Sequence, residues 1–216
     1  MAFDAGRAAQ RIHECAIAYQ AHLLDRRTLF IPSDGSIPFE CVFLSDNFQH
    51  LCGVNYATDI TKPVFFDRAV KDRIKPELLI PVHGQRTIMK LNSLPILCRI
   101  DTKANAAVRD PVDHQGTYAD LFCSNMEACI GFVKTGGVYR PKTALAHNPS
   151  RSEPGYVNIL AIVKTEPDGL VYSLVSKEPK RRNITGEKVR RILASLNRYD
   201  GGCDVMPAVE HFRELL

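Results

Sequence analysis

Apolar residues recur at helical spacing at the start of the chain. Phe3, Ala8, Ile12, Ala16, Tyr19 and Leu23 fall near one face, with Arg7, Arg11 and Glu14 on the others, which predicts an amphipathic helix over residues 2–26. Thr28 to Ile31 is a short β-like run, Pro32-Ser33-Asp34-Gly35 a turn, and Ile37 to Leu44 a strand with Phe39, Cys41 and Phe43 on one side. Ser45-Asp46 can cap a short helix carrying Phe48, His50 and Leu51, which Gly53 would stop. Two more helices are predicted: Lys62 to Arg73, with Thr61 as cap and Pro63 in its first turn, and Gln85 to Leu94, interrupted at Pro95. In the latter Ile88, Leu91 and Leu94 face inward and Lys90 lies beside them.

The second half changes character. Tyr118 to Cys123 and Cys129 to Lys134 read as strands, followed by a flexible break at Gly136-Gly137. Val157 to Lys164 and Leu170 to Val175 read as a hairpin around Glu166-Pro167-Asp168-Gly169. Thr185 caps a helix to about Tyr199 that Gly201-Gly202 ends, and Pro207 starts a last short helix. Strands and helices are segregated, so the fold class is α+β: an antiparallel sheet, built largely from residues 118–175, flanked by N-terminal and C-terminal helices. The expected organisation is one domain over residues 1–216. Its N-terminal helical part would span about 1–100, its sheet-rich part about 101–176, and its C-terminal helices 177–216.

Composition narrows the class. Of 216 residues 45% are hydrophobic and 24% charged, enough for a core that needs no disulfide. A net charge of +4 permits a polyanionic partner without requiring one. The seven cysteines are irregularly spaced and form no CxxC pair; Cys123 and Cys129, with His114, come nearest to a zinc set. The expectation is no metal, reduced buried thiols and a cytoplasmic setting. The N-terminus has no apolar leader, and no apolar run approaches a membrane span. The chain lacks a P-loop, GxGxxG, HExxH and GxSxG, so nothing supports a dinucleotide enzyme, zinc protease or α/β-hydrolase, and no cofactor is expected. Lys177 to Arg182 is the one charge cluster, either a solvated loop or a phosphate-contacting patch of Lys180, Arg181 and Arg182.

One stretch is family-like. Phe39-Glu40-Cys41-Val42-Phe43 followed by Asn47-Phe48-Gln49-His50-Leu51-Cys52-Gly53-Val54 resembles a signature of the phage and mobile-element branch of the barnase–EndoU–colicin–RelE nuclease superfamily. The resemblance continues through Lys90-Leu91, Tyr139-Arg140-Pro141-Lys142-Thr143-Ala144-Leu145 and Ile159 to Lys164, and ends near Tyr172, spanning roughly residues 37–175. It implies a helical N-terminal part on a curved antiparallel sheet. It also implies a metal-independent endoribonuclease, a toxin or mobile-element effector, with RNA as substrate and a cognate antitoxin or immunity protein as possible partner.

Cleaving RNA without a metal needs a base for the 2′-hydroxyl, cations or donors for the phosphorane, and an acid for the leaving oxygen. His50 is the first candidate, because imidazole titrates near neutrality and Asp46 lies one helical turn away to orient it. A loop-bracing histidine is the competing role. Lys90, on an otherwise apolar face, needs a partner such as a phosphate unless it snorkels to solvent. Lys142 and Thr143 follow a Tyr139-Arg140-Pro141 turn, where Thr143 can donate to a phosphate oxygen while Arg140 or Lys142 supplies charge, unless the segment is merely an exposed loop with a capping threonine. Lys164 and Tyr172, across the predicted hairpin, can point into a groove or pack in the sheet. His83 is in reserve and His147 is a second acid–base candidate; His13 and His22 read as surface residues. Two other functions remain open: a catalytically inactive nucleic-acid- or protein-binding module of a phage or mobile element, and a structural protein. Convergence of His50 with Lys90, Thr143, Lys164 or Tyr172 in one cleft separates them.

Overall fold

The computed structural model describes residues 2–82, 84–109, 118–146, 151–180 and 184–216. In chain order it has helix α1 (Ala5–His22), strands β1 (Arg27–Pro32) and β2 (Phe39–Val42), helix α2 (Ser45–Cys52), strand β3 (Val54–Tyr56), helix α3 (Lys62–Val70), strand β4 (Leu79–Pro81), and helices α4 (Gln85–Leu97) and α5 (Ile100–Lys103). Strands β5 (Ala106–Arg109), β6 (Leu121–Ser124), β7 (Cys129–Thr135), β8 (Val138–Leu145), β9 (Tyr156–Lys164) and β10 (Leu174–Lys177) follow, then helices α6 (Gly186–Leu196) and α7 (Met206–Arg213).

Eight strands form one sheet in the order β1-β2-β8-β7-β6-β5-β9-β10, and β3 and β4 pair separately. Every ladder is antiparallel except the short parallel contact of β2 with β8, where Cys41 faces Tyr139. β1 pairs with β9 as well as with β2, placing Thr28 opposite Lys164. Seven strands therefore close into a ring, and β10 lies on β9 outside it. The fold is α+β with a mostly antiparallel sheet and helices at both ends, as the segregation of elements predicts.

The sheet draws on more of the chain than residues 118–175, because β1, β2 and β5 join it from upstream. The Tyr139-Arg140-Pro141 segment is not a turn but the middle of β8. Nor is Gly136-Gly137 a loose break: φ of 59° and 88° make it the tight connection between β7 and β8, a conformation open to glycine at both positions. The strand predicted from Leu170 begins only at Leu174. Before it, Tyr172 donates its N–H to the Asp204 carbonyl, so this stretch is tied to the C-terminal segment instead of to β9. Helix α4 runs through Pro95 to Leu97, and α2 is capped by the Leu44 N–H donating to Asn47 Oδ1 at 2.9 Å, not by Ser45.

Two apolar clusters hold these parts. Asp4 accepts the Arg7 N–H and starts α1, whose Ala8, Ile12, Cys15, Ala16 and Tyr19 are buried at three- and four-residue spacing. Tyr19 packs edge-on against Phe43, Phe48 and Phe66, with centroids 5.3–6.1 Å away, and its hydroxyl donates to the Leu44 carbonyl at 2.9 Å. Phe43 in turn meets Phe132 on β7. This first cluster packs α1 to α4 on the sheet. Leu29, Ile31, Ala161 and Val163, from β1 and β9, join α6 and α7 in the second. Since Phe30 and Ile162 belong to the first cluster, β1 and β9 are buried on both faces.

The seven thiols are all buried and free. Cys123 and Cys129 lie on adjacent strands, burial pushing the Cys129 thiol up to about 12. Their suggested companion His114 lies outside the described residues. Among the described residues no three His, Cys, Asp or Glu side chains are grouped for a metal, and no helix is long and apolar enough to cross a membrane.

One ion pair sits deep in this frame. Lys164 Nζ on β9 is 2.6 Å from the fully buried Asp101 of α5 and also donates to the His22 carbonyl at 3.1 Å. Removing one partner of such a pair strands the other charge. Lys164→Met should cost about 3 kcal/mol in urea unfolding, while Lys164→Met combined with Asp101→Leu should recover most of the loss.

Candidate functional site

A cavity of about 300 Å³ opens where α2, α3, α4, β3 and β8 meet. His50 and Gln49 reach it from the last turn of α2, and Asn55 from β3. Lys62 comes from the start of α3, Arg86 and Lys90 from α4, and Lys142 and Thr143 from β8. Four cations thus surround one small space, and no acidic side chain lines it among the described residues. Such a space suits an anion with several oxygens, and a phosphate group fits that description.

Local structure brings each side chain in. The Phe48, Leu51 and Cys52 side of α2 is buried against the core, which turns His50 outward to solvent at the cavity. Gly53 then stops α2 with φ of 70°. Its carbonyl accepts the Thr87 hydroxyl at 2.9 Å and the Val82 N–H at 3.2 Å, so one residue fixes the relation of α2 to both β4 and α4. A Cβ at Gly53 would lie 2.8 Å from Lys90 Cδ, so the bare glycine also leaves room for the Lys90 stem.

On β8 the ladder slips: Gly131 faces Thr143 but Phe132 faces Pro141, leaving Lys142 as the extra residue of a bulge. Neighbouring residues on a regular strand point to opposite faces. Here Lys142 and Thr143 both line the cavity. Gly131 makes this possible, since a Cβ there would come within 2.9 Å of Thr143 Cγ2.

Lys90 is half-buried, and its ammonium donates to Thr143 Oγ1 at 3.3 Å. Burial lowers its pKa from the ordinary lysine value, and the positive charge of Arg86 acts in the same direction against the opposing Cys52. Among the described residues this desolvated cation meets a neutral hydroxyl and no carboxylate within ion-pair distance. An anion in the cavity would reverse the penalty.

The structure brings together His50, Lys90, Thr143 and Lys142, on three separate elements. It does not bring Lys164 or Tyr172. Lys164 is held in the Asp101 pair beneath α1 and α5. Tyr172 is wholly buried in the second cluster, donating to Glu40 Oε1 at 3.0 Å beside Arg27, and burial with the Glu40 charge pushes its phenol far above its ordinary value. The groove expected across the β9 hairpin is therefore filled by packing. Arg140 lies on β8 but does not line the cavity. Lys180 lies in a separate shallow depression with Lys103, Lys177 and Lys188. Arg181, Arg182, His83, His114 and His147 lie outside the described residues.

Lys62, Arg86, Gln49 and Asn55 were not anticipated from sequence. One signal was available: Arg86 and Lys90 are four apart on a helix, a like-charge pair that disfavours the helix unless something negative sits between them.

A protein family described as phage-Barnase-EndoU-ColicinE5/D-RelE like nuclease4 matches residues 11–190. No curated protein and no solved structure matches the chain.

Two outcomes follow from the geometry. Lys90→Met should stabilise the unliganded protein by about 0.5–2 kcal/mol in denaturant unfolding, because it removes a desolvated cation, while weakening phosphate binding measured by calorimetry. Gly53→Ala should destabilise by about 1 kcal/mol or more, since alanine is strained at positive φ, and should weaken phosphate binding as well by displacing the Lys90 stem.

Proposed function

We propose, from the premise that this chain belongs to the phage-Barnase-EndoU-ColicinE5/D-RelE like nuclease4 family, that the cationic cavity is the site at which RNA is cleaved without a metal. The observation that carries the reading is the meeting of an imidazole, four cations and a hydroxyl around one space that, among the described residues, no acidic side chain lines.

In this mechanism the scissile phosphate enters the cavity. His50 takes the proton of the adjacent 2′-hydroxyl, and the freed oxygen attacks phosphorus. Lys90, Lys142 and Thr143 donate to the non-bridging oxygens as negative charge builds on the phosphorane. The bond to the 5′-oxygen breaks, and a proton from the Lys90 ammonium, made more acidic by burial, neutralises that oxygen. The products are a 2′,3′-cyclic phosphate and a 5′-hydroxyl. RNA is the substrate because DNA has no attacking 2′-hydroxyl. Lys62 and Arg86 hold flanking phosphates. The setting we propose is the cytoplasm, as an effector of a phage or mobile element held in check by an antitoxin or immunity protein.

A second reading is a nucleic-acid-binding module without activity. It is favoured by the location of Lys164 and Tyr172, which leaves fewer acid–base groups at the cavity. Incubating the protein with total RNA and tRNA in EDTA separates the two. Cleavage to cyclic-phosphate ends is expected, with His50→Ala slower by about 10²–10⁴-fold and an unchanged melting temperature. Binding without cleavage would support the module. A His50→Ala protein that melts much lower while its folded fraction still cuts would make His50 a packing residue.

A further inference from the structure

Beside the cavity, at the start of the segment leading into β6, Tyr118 presents 52% of its surface to solvent. It is nonetheless held at two points. Its hydroxyl donates to Asp120 Oδ1 at 2.7 Å, and Asp120 Oδ2 accepts the Lys134 N–H of β7 at 2.7 Å. Its carbonyl accepts the Lys142 ammonium at 3.0 Å. That ammonium also lies 5.4 Å from the ring centroid. Lys142 is the bulged residue that lines the cavity with His50 and Thr143. One side chain thus spans from the phosphate-sized space to an exposed ring whose orientation is already fixed.

An exposed aromatic ring gains nothing from hydration, and fixing it in advance reduces the entropy lost when a flat ligand stacks on it. Nucleobases stack on such rings whatever their identity, but only when they are free of a duplex. Resting on the cleavage reading above, we infer that Tyr118 is a stacking platform for the base next to the phosphate held in the cavity, and that the substrate is single-stranded there. Lys142 sets the spacing, because the side chain whose ammonium lies beside the ring also lines the space a phosphate would fill. Gln49 and Asn55, which also line the cavity, supply amide groups with no charge preference. Tyr118 is then a binding residue whose effect falls on strand form, not on the anion.

The alternative role for Tyr118 is a tether that holds Asp120 and the end of β7. The two differ in what phenylalanine does, since Tyr118→Phe keeps the ring and loses the tether. The test is fluorescence anisotropy with a short 2′-O-methylated RNA strand, which lacks the attacking hydroxyl and stays uncut, used alone and annealed to its complement. The wild-type protein should bind the single strand more tightly. Tyr118→Ala should weaken single-strand binding by about 10-fold and leave duplex binding unchanged, and Tyr118→Phe, which keeps the ring but loses one of its fixings, should fall between the wild type and Tyr118→Ala. Lys90→Met, as a control, should weaken both forms. Binding that depends on Lys90 but not on Tyr118, or equal losses in Tyr118→Phe and Tyr118→Ala, would overturn the platform and leave the cleavage reading standing. No binding of either form by the wild type would overturn both.

Discussion

The Tyr19 ring is the contact on which the arrangement of this molecule turns. It meets Phe48 of α2, Phe66 of α3 and Phe43 beside β2, and its hydroxyl accommodates the Leu44 carbonyl at the start of α2. Three elements are thereby set against α1 and, through Phe43 and Phe132, against the sheet. A buried phenol needs a partner for its hydroxyl, and the only acceptor geometry that satisfies it fixes where α2 begins. Once α2 is seated with its apolar side inward, His50 has no direction left but the cavity. The site is a consequence of how the core is filled.

Around the cavity, local preferences are set aside more than once. β8 skips a residue at Lys142, and Lys90 is desolvated beside Arg86 with no carboxylate at ion-pair distance among the described residues. Each would be unfavourable alone. Their gathering at one place is the pattern expected where a structure has been shaped for a ligand instead of for its own stability. The deeper ion pair of Lys164 with Asp101 and the Glu40, Arg27 and Tyr172 group show the contrast: there every charge has its counterpart.

Much of the frame was legible in the sequence. The spacing of Ile12, Ala16 and Tyr19 marked α1, Thr185 marked the start of α6, and Glu166 to Gly169 marked the turn after β9, because each reflects a local preference of the chain. Legibility failed where long-range pairing overrode local preference. Ala106 and Ala107 carry no strand signal, yet β5 forms because β6 and β9 offer ladders on either side. Pro141 looked like a turn residue and sits instead at a bulge, where its missing N–H is tolerated. At the site, His50, Lys90, Lys142 and Thr143 were recognisable as chemistry. Lys62 and Arg86 were not, since charged residues in the first turns of helices read as ordinary surface. Lys164 and Tyr172 misled for the opposite reason, as reactive side chains that the fold uses for packing.

The closing of the sheet by β1 against β9 has a bearing on when the protein becomes what it is. Thr28 leaves the ribosome long before its partner Lys164. Synthesis is vectorial and slow compared with the formation of helices and hairpins. The N-terminal helices can therefore collapse on one another while β1 waits, and the β8 wall of the cavity with Lys142 and Thr143 arrives late. A nascent chain sits against a large body of RNA throughout this period. The topology delays assembly of the cationic cavity until β8 has been made, well after the helices that carry its other cations.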